Sequence, residues 1–356
     1  MDIAQIDPNF KPSEIGGRPV CFVDALSGGP FRLTGFPWRG KDLPLRRLPE
    51  TLTRQEVNEG ALFLSLHTSG GQLAFKTDSR VIAVRAVLNV APHDMNHMPR
   101  LGSSGFDLHR KTGDGQIFVR EFAPHVEHLH GEPFAELATV GDTREMRSFR
   151  LYFPLYGGVR KLEIGVEPGA GFEPPEPFAV EKPILLYGGS IFQGGCASRP
   201  GNSFGNLLCR KLDAQGIDLG FSGCGLGEIA IARKIAELDL AALLMGCELN
   251  APTAEFLRER LDPFYDTVRA AHPELPIVFV TQGDFTSPDR AAVVRGVCER
   301  AWKAGDRHTH LVTRKECFAE LDDWRTATVD GCHPNDLGFY LMYRAILPVL
   351  QAELGL

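Results

Sequence analysis

The stretch ILLYGGSIFQGG, residues 184–195, decides the fold class of this chain. An uninterrupted apolar run, ILLY, is followed at once by a glycine-rich turn that contains one serine, Ser190. Continuous apolar runs are typical of strands that are buried on both faces of a parallel sheet. A glycine-rich turn after such a strand indicates a connection from strand to helix. The stretch therefore predicts the first strand and the first turn of an α/β domain.

The same pattern recurs towards the end of the chain. The apolar runs IDLGFSG, LAALLMGC, PIVFVTQG and HTHLVT alternate with stretches of helical periodicity. This alternation predicts a parallel sheet with helices on both faces. The segment DLGFYLMYRAILPVLQAEL predicts a closing helix, with Asp336 as its N-cap. We therefore predict a three-layer α/β/α domain of the flavodoxin-like type over residues 184–356.

The pattern before this stretch is different. From Cys21 to Val166, short runs of alternating apolar residues are broken by Gly, Pro, Asp and Asn, as in GQIFVREF, RSFRLYFPL and VRKLEIGV. Such runs predict strands and hairpins, and hence an antiparallel, jelly-roll-like β-sandwich over residues 1–166. The segment EPGAGFEPPEPFAVEKP, residues 167–183, contains five prolines. Because proline lacks an N–H donor, we interpret this segment as the connection between the domains.

Composition and charge argue against several classes of function. The 356 residues include 38 Lys and Arg against 45 Asp and Glu, giving a net charge of -7 without a basic block. This balance argues against nucleic acid as a partner. No apolar run approaches the roughly 20 residues of a membrane span, and the first residues do not resemble a signal peptide. We therefore expect no membrane partner and a cytosolic location. The eight cysteines form no C-x-x-C pair, which favours reduced thiols that pack as small apolar side chains.

Residues with chemical potential follow the predicted strands directly. In an open parallel sheet, ligands bind outside the carboxyl ends of the strands. Ser190, Gly223 and Asn250 follow three successive strands, while Asp330 and His333 form a D-x-x-H motif before the last helix. These residue types supply a hydroxyl nucleophile, donors for an oxyanion, a base, and an acid that orients the base. Together they predict a site for acyl transfer.

The order of these motifs resembles that of the SGNH branch of the GDSL-type serine hydrolases. The likeness extends over residues 183–350, and the run YGGSIFQGGCASRPGNSF is especially similar to a two-domain subgroup with an N-terminal β-sandwich. Two positions depart from the family pattern. Gly189 replaces the acid of G-D-S, which puts the rigidity of the neighbouring loops in question. Cys224 follows Gly223 where a more polar residue is expected.

The resemblance implies a complete mechanism. Ser190 is the implied nucleophile, His333 the base, and Asp330 the acid that orients it. The implied oxyanion donors are the backbone N–H groups of Ser190 and Gly223 and the side-chain amide of Asn250. No step of this mechanism requires a metal or another cofactor. Because the subgroup includes carbohydrate esterases, the implied substrate is a small-molecule or oligosaccharide ester, with an O-acetyl group on a sugar as the first choice.

Other functions stay open at this point. The same residues would serve a lactonase or another small-ester hydrolase. In a different class, the chain would be a catalytically inactive carbohydrate-binding protein that uses its β-rich half. A nicotinamide site is disfavoured because the loop that begins at Gly223 reads GxGxG, and not the GxGxxG of dinucleotide-binding loops. Nothing in the sequence indicates an oligomeric state.

Two tryptophans and several histidines are further candidates. We predict Trp324, shortly before Asp330, as a wall of the cleft, whereas Trp38 is interpreted as the cover of a hydrophobic core. If the segment HVEHLHG is a strand, its alternate histidines share a face and could bind a metal. An exposed hairpin with solvated imidazoles is the favoured interpretation. These metal-ligand candidates, all interpreted as solvated, are His125, His128, His130, His93 and His97.

Overall fold

The computed structural model describes residues 13–39, 45–90, 95–113, 115–129 and 131–356. Within these ranges the chain forms a β-rich N-terminal half and an α/β C-terminal half, which confirms the predicted fold class. Among these residues, no helix combines the length and the apolar character that a bilayer span requires.

Two antiparallel sheets make up the N-terminal half. Their strands are β1 Ser13–Ile15, β2 Arg18–Asp24, β3 Arg32–Thr34, β4 Gln72–Thr77, β5 Val81–Val90, β6 Phe106–Thr112, β7 Gly115–Phe122, β8 Pro133–Thr139, β9 Arg147–Tyr152, β10 Gly158–Val166 and β11 Phe172–Glu173. One sheet has the order β1-β2-β10-β5-β8, and the other has the order β11-β4-β9-β6-β7 with β3 paired to β4. Two short helices, α1 Glu59–Leu64 and α2 Arg100–Ser104, and a 3-10 turn, Val126–His128, complete this half.

Alternation along the strands explains why the two sheets pack face to face. Leu73 and Phe75 of β4, from one sheet, share a core with Ile82 and Val84 of β5, from the other. Successive side chains of a strand point to opposite faces, so every second residue of these strands is apolar and enters the core. The inner faces of the two sheets therefore make the core of a sandwich.

The C-terminal half contains one parallel sheet between two layers of helices. Its strands are β12 Val180–Gly188, β13 Ala214–Gly220, β14 Ala242–Gly246, β15 Ile277–Thr281 and β16 Thr309–Thr313, in the order β13-β12-β14-β15-β16. Its helices are α3 Ser190–Gln193, α4 Phe204–Leu212, α5 Ile229–Ala236, α6 Ala254–Ala271, α7 Pro288–Lys303, α8 Arg314–Cys317 and α9 Asp336–Leu354, with 3-10 turns at Pro200–Asn202, Glu248–Asn250 and Trp324–Ala327. Because β12 lies between β13 and β14, the chain reverses its direction across the sheet at β12, which is where an open α/β sheet offers a crevice.

Strand β12 shows why the apolar run is continuous. Ile184 and Leu186 belong to the core beneath α4 and α9, whereas Leu185 and Tyr187 belong to the core beneath α5, α6 and α7. Both faces of the strand are thus covered, so neither set of alternate positions can be polar.

A segment of the N-terminal half, residues 48–61, packs into the α/β core, which the sequence did not predict. Leu48 and Ala61, which flank and enter α1, are buried in the same cluster as Leu185 of β12. The predicted connection, residues 167–183, contains β11 and the start of β12. The pairing of β12 with β13 is irregular before Ile184, next to Pro183, whose missing N–H interrupts a regular ladder.

The prediction that Asp336 caps the last helix is wrong. The N-cap of α9 is Asn335, whose side-chain oxygen accepts the Gly338 N–H at 3.1 Å. Asp336 is the first residue of the helix, and its carboxylate accepts from the backbone N–H of Ser198 and the side-chain amide of Asn202, each at 2.8 Å. It therefore ties α9 to the loop that follows α3.

Candidate active site

The loops at the carboxyl edge of the parallel sheet bring together the residues that the sequence singled out. We call these the edge loops: they follow β12, β13 and β14 and precede α9. Ser190 begins α3 immediately after β12, with Gly189 at the N-cap. Gly223 follows β13, Asn250 ends the 3-10 turn after β14, and His333 lies before α9. All four line one pocket of about 300 Å³.

A continuous chain of hydrogen bonds connects three of the predicted residues. The hydroxyl oxygen of Ser190 lies 2.8 Å from Nε2 of His333, and Nδ1 of His333 lies 2.7 Å from Oδ2 of Asp330. With Nδ1 protonated and donating to the carboxylate, Nε2 is free to accept the serine proton. The arrangement is the one that activates a hydroxyl for attack on a carbonyl carbon.

The D-x-x-H loop fixes the orientation of its own histidine. Oδ1 of Asp330 accepts the backbone N–H groups of Cys332 at 2.9 Å and of His333 at 2.7 Å, while Oδ2 faces the imidazole. Gly331 completes the turn with φ 81°, a left-handed conformation that favours glycine. Burial alone would raise the pKa of Asp330, but the hydrogen bonds from His333 and Cys332 outweigh it and lower the pKa to about 2. The carboxylate is therefore ionised whenever the imidazole can act as a base.

Donors suited to an oxyanion lie beside Ser190. Gly223 has φ 69°, which again favours glycine, and it faces open space in the pocket. The side-chain oxygen of Asn250 accepts the Gly225 N–H at 3.2 Å. Because the oxygen end of this amide is held, its NH₂ end is the one available to a substrate.

The same asparagine explains the departure at Gly189. A Cβ atom at this position would come within 2.4 Å of the Asn250 side-chain oxygen. The backbone there, with φ -93°, is open to any residue, so the constraint is contact and not conformation. The Asn250 amide thus occupies the space that an acidic side chain would need.

Cys224, the second departure, turns out to be a packing residue. Its sulfur lies so close to Gly60 of α1 that a Cβ on that glycine would meet it at 2.3 Å. Its backbone oxygen accepts the side-chain amide of Asn58, the N-cap of α1, at 2.9 Å. A small apolar side chain at this position lets α1 pack against the loop that carries Gly223.

Buried polar contacts beneath the edge loops are the part that sequence reasoning missed. We call Arg47, His67, Ser69, Gln193 and Asp218 the joint layer, since these five buried residues link the two halves. The Gln193 side chain contacts Nδ1 of His67 at 3.1 Å and accepts the N–H of Ser222, next to Gly223, at 3.0 Å. Ser69 donates to the backbone oxygen of Gln193 at 2.8 Å. Gln193 is part of the GGSIFQGG run, but nothing in that run indicates hydrogen-bond partners more than a hundred residues away.

Arg47 is the fully buried cation of the joint layer. Its guanidinium donates to the backbone oxygens of Asp218 at 2.9 Å and Gly220 at 2.6 Å in β13, and to that of His67 at 3.0 Å. It also lies 3.5 Å from the carboxylate of Asp218. Burial lowers the pKa of Arg47 to about 10, against the smaller raising effect of Asp218. The N-terminal half therefore holds the strand that ends at the Gly223 loop.

The predicted aromatic wall lies outside the pocket. Trp324 is not among the described residues that line it; its ring stacks on Phe285 with centroids 4.7 Å apart. Trp38 packs against the core that covers β12, as expected from its sequence context. The described lining instead includes Cys332, the neighbour of His333 in sequence, and Gln282.

The candidate histidines lie in different environments. His128 ends a 3-10 turn and not a strand, so the strand geometry that a metal site would have required, which was the disfavoured interpretation, is absent at this position. His130 and His93 lie outside the described residues. His97, which was interpreted as solvated, is half-buried, and its ring centroid lies 5.7 Å from that of His333.

Two family profiles match adjoining parts of this chain. The profile of the GDSL-like Lipase/Acylhydrolase family matches residues 181–351. The profile of the N-terminus of Esterase_SGNH_hydro-type proteins matches residues 20–172. A search of curated proteins gave no match.

Solved structures share the two-part architecture. A candidate GDSL-like lipase from Bacteroides ovatus is 28% identical, with a TM-score of 0.79 over 94% of this chain and 98% of its own. A salicylyl-acyltransferase from a tetracycline biosynthetic pathway is 20% identical, with a TM-score of 0.75 over 94% and 97% of the two chains. An acetyl xylan esterase from the rumen bacterium Butyrivibrio proteoclasticus is 11% identical, with a TM-score of 0.60 over 94% and 99%. At their levels of identity, the last two show a common fold.

Proposed function

Because the chain belongs to the GDSL-like lipase/acylhydrolase family and is an ester hydrolase, we propose that Ser190, His333 and Asp330 are its catalytic triad. The observation that carries the proposal is the unbroken hydrogen-bonded chain from the Ser190 hydroxyl through His333 to Asp330. The Ser190 end of this series of hydrogen bonds lies in the pocket, where a substrate carbonyl can reach the hydroxyl.

The proposed reaction has two halves. In the first, Nε2 of His333 takes the Ser190 proton while the hydroxyl oxygen attacks the ester carbonyl carbon. The imidazolium that forms is stabilised by the ionised Asp330, and it then donates its proton to the leaving alcohol. In the second half, His333 activates a water molecule that hydrolyses the acyl enzyme, and Ser190 regains its proton.

We propose that three groups stabilise the oxyanion: the backbone N–H of Ser190, the backbone N–H of Gly223 and the NH₂ group of Asn250. They are donors of the same pocket, and the Asn250 amide is held through its oxygen by Gly225. A donor that is fixed before the reaction needs no reorganisation as charge develops. Each is typically worth about 3 kcal/mol in the transition state.

The proposed substrates are short acyl esters, with O-acetyl groups of sugars or oligosaccharides first. The pocket of about 300 Å³ is lined mainly by glycine, serine and cysteine, with Ile191 and Leu249 as its larger apolar side chains. Such a space suits a short acyl group. The acetyl xylan esterase with the same fold supports this substrate class, which for the present chain rests on analogy.

Acetate release from acetylated mono- and oligosaccharides, measured beside p-nitrophenyl acetate, tests this function. Wild type and Ser190→Ala are compared, with Ser222→Ala as the matched control because it removes another hydroxyl from the same pocket. Release that is lost in Ser190→Ala, and largely kept in Ser222→Ala, is the expected result. Equal release from wild type and Ser190→Ala would exclude the triad. If no protein releases acetate, lactones and longer acyl esters are tested next, and failure of those favours an inactive carbohydrate-binding protein.

A further inference from the structure

A histidine from the sandwich half approaches the acid–base loop. His97 lies between β5 and α2, and its ring is inclined at 47° to that of His333. Cys196, in the loop after α3, completes a group of three potential metal ligands. One ring nitrogen of each histidine and the sulfur of Cys196 all lie within 4.8 Å of one another. These three side chains come from three separate segments of the chain.

Two imidazoles and one thiol are a ligand set that Zn²⁺ prefers. Tetrahedral Zn²⁺, with bonds of about 2.0 to 2.3 Å, requires ligand atoms about 3.5 Å apart, so these atoms would have to approach by at most about 1.3 Å. His97 is half-buried and the side chain of His333 is 20% exposed, so two of the three candidate ligands are accessible to solvent. Cys196 is buried and held in a left-handed conformation, with φ 75°, at the inner end of the group.

We propose that His97, Cys196 and His333 form an inhibitory site for Zn²⁺. Both ring nitrogens of His333 are already in use, Nε2 by Ser190 and Nδ1 by Asp330. An ion that binds either nitrogen therefore removes one hydrogen bond of the proposed triad and the basic lone pair. The site goes beyond the proposed function, because the ion takes no part in hydrolysis and stops it.

Binding also has a proton balance. Burial and the negative charge of Asp330 raise the pKa of the Cys196 thiol to about 12, so the thiol is protonated at neutral pH. Formation of the zinc–sulfur bond must release this proton to solvent, and the same carboxylate then lies near a cation that it stabilises.

Equilibrium dialysis against Zn²⁺, with the esterase rate measured on the same samples, tests this site. The proteins are wild type, His97→Gln, Cys196→Ala and Ser190→Ala. His310→Gln is the matched control, because His310 and His308 share the carboxylate of Glu353 at a separate surface cluster. We expect His97→Gln and Cys196→Ala each to weaken Zn²⁺ binding and inhibition by at least about tenfold, because each removes a direct ligand and even the loss of an outer-shell partner typically costs about 10- to 100-fold in metal affinity. The ratio of rates with and without Zn²⁺ cancels any change in basal activity.

Ser190→Ala separates this proposal from the proposed function. This variant should bind Zn²⁺ in dialysis even though it hydrolyses nothing, so failure of the esterase assignment would leave the binding result intact. The inhibitory site would be overturned by wild type that binds no Zn²⁺, by equal inhibition of wild type, His97→Gln and Cys196→Ala, or by binding that disappears in His310→Gln.

Discussion

The edge loops and the joint layer lie next to each other but differ in burial and in the kind of contact that they make. The side chains of His333 and Asp330 in the edge loops are 20% and 36% exposed, and they contact each other within one short turn. The joint layer is buried, and its contacts cross from one half of the chain to the other. Chemistry and stability are therefore separable here: substitutions in the edge loops should affect turnover, and substitutions in the joint layer should affect the free energy of unfolding.

The largest expected effect is in the edge loops. His333→Ala should lower kcat by about 10³-fold or more, because it removes the base of the proposed triad. The side chain is only 20% exposed, but its partner Asp330 is 36% exposed, so its loss leaves no buried charge and the thermal melting temperature should stay close to that of wild type. Steady-state kinetics and a thermal melt on the same preparation test both statements. Wild-type turnover in a folded His333→Ala variant would remove His333 from the mechanism.

Asn250→Ala should produce the next largest loss. We expect kcat to fall by about 10² to 10³-fold with a smaller change in KM, because the donor is used mainly in the transition state. Gly225 loses a hydrogen-bond partner in this variant, so a melt is recorded beside the kinetics. A change confined to KM would assign Asn250 to substrate binding in the ground state.

Arg47→Met tests the contribution of the joint layer to stability. The substitution leaves the buried Asp218 carboxylate and several backbone oxygens without their cation, which should cost about 3 kcal/mol of unfolding free energy. Denaturant unfolding measures the loss. Arg325→Met is the matched control, since its ion pair with Asp323 is 67% and 56% exposed and should be worth less than about 1 kcal/mol. Equal stability of the two variants would mean that the joint layer does not hold the halves together.

Gly189→Ala tests a contact within the edge loops, the one between Gly189 and Asn250. Its added methyl would lie 2.4 Å from the Asn250 oxygen, so Asn250 must move and kcat should fall by about tenfold through the displaced donor. The control is Gly296→Ala, where a Cβ meets nothing within 4 Å in the middle of α7, and helix propensity predicts a gain of up to about 1 kcal/mol. Unchanged kcat in Gly189→Ala would show that Asn250 tolerates the displacement.

The fold and most of the edge loops could be predicted from the sequence for a physical reason. The carboxyl ends of parallel strands meet at one edge, so short motifs that follow separate strands, such as those of Ser190 and Asn250, are brought together by topology alone. The fold class, the family and the ester hydrolase assignment are confirmed; the individual roles of the site residues stay predictions. The geometry places four of them, Ser190, Gly223, Asn250 and His333, in the lining of one pocket, and Asp330 contacts His333 from outside that lining.

The features that could not be predicted from the sequence depend on contacts that no local pattern encodes. Arg47 and Asp218 are 171 residues apart, and neither the polar run around Arg47 nor the strand of Asp218 indicates the other. His97 was assigned to solvent because a histidine in a loop carries no periodicity that reveals what it will face. Trp324 was placed at the cleft by its proximity to Asp330 in sequence, whereas its ring packs on Phe285. Nearness along the chain was therefore a good guide within motifs and a poor one between them.

Asp330→Asn should have a small effect on stability, and the sign of its pH dependence follows from the lowered pKa of Asp330. A carboxyl whose folded pKa is about 2, below its usual 3.8, stabilises the folded state above pH 4 or so and loses that contribution as the pH falls towards 2. The asparagine variant cannot titrate, so the stability difference between the two proteins should narrow between about pH 4 and pH 2, while all other carboxyl groups contribute equally to both. Since the Asp330 side chain is 36% exposed, water screens the interaction, and the difference should stay below about 1 kcal/mol.

Melting temperatures of both proteins at pH 6, 4 and 2.5 and constant ionic strength measure this stability difference. A difference that is constant over this range would mean that the hydrogen bonds of Asp330 orient His333 without stabilising the fold, which would make the edge loops still more independent of the joint layer.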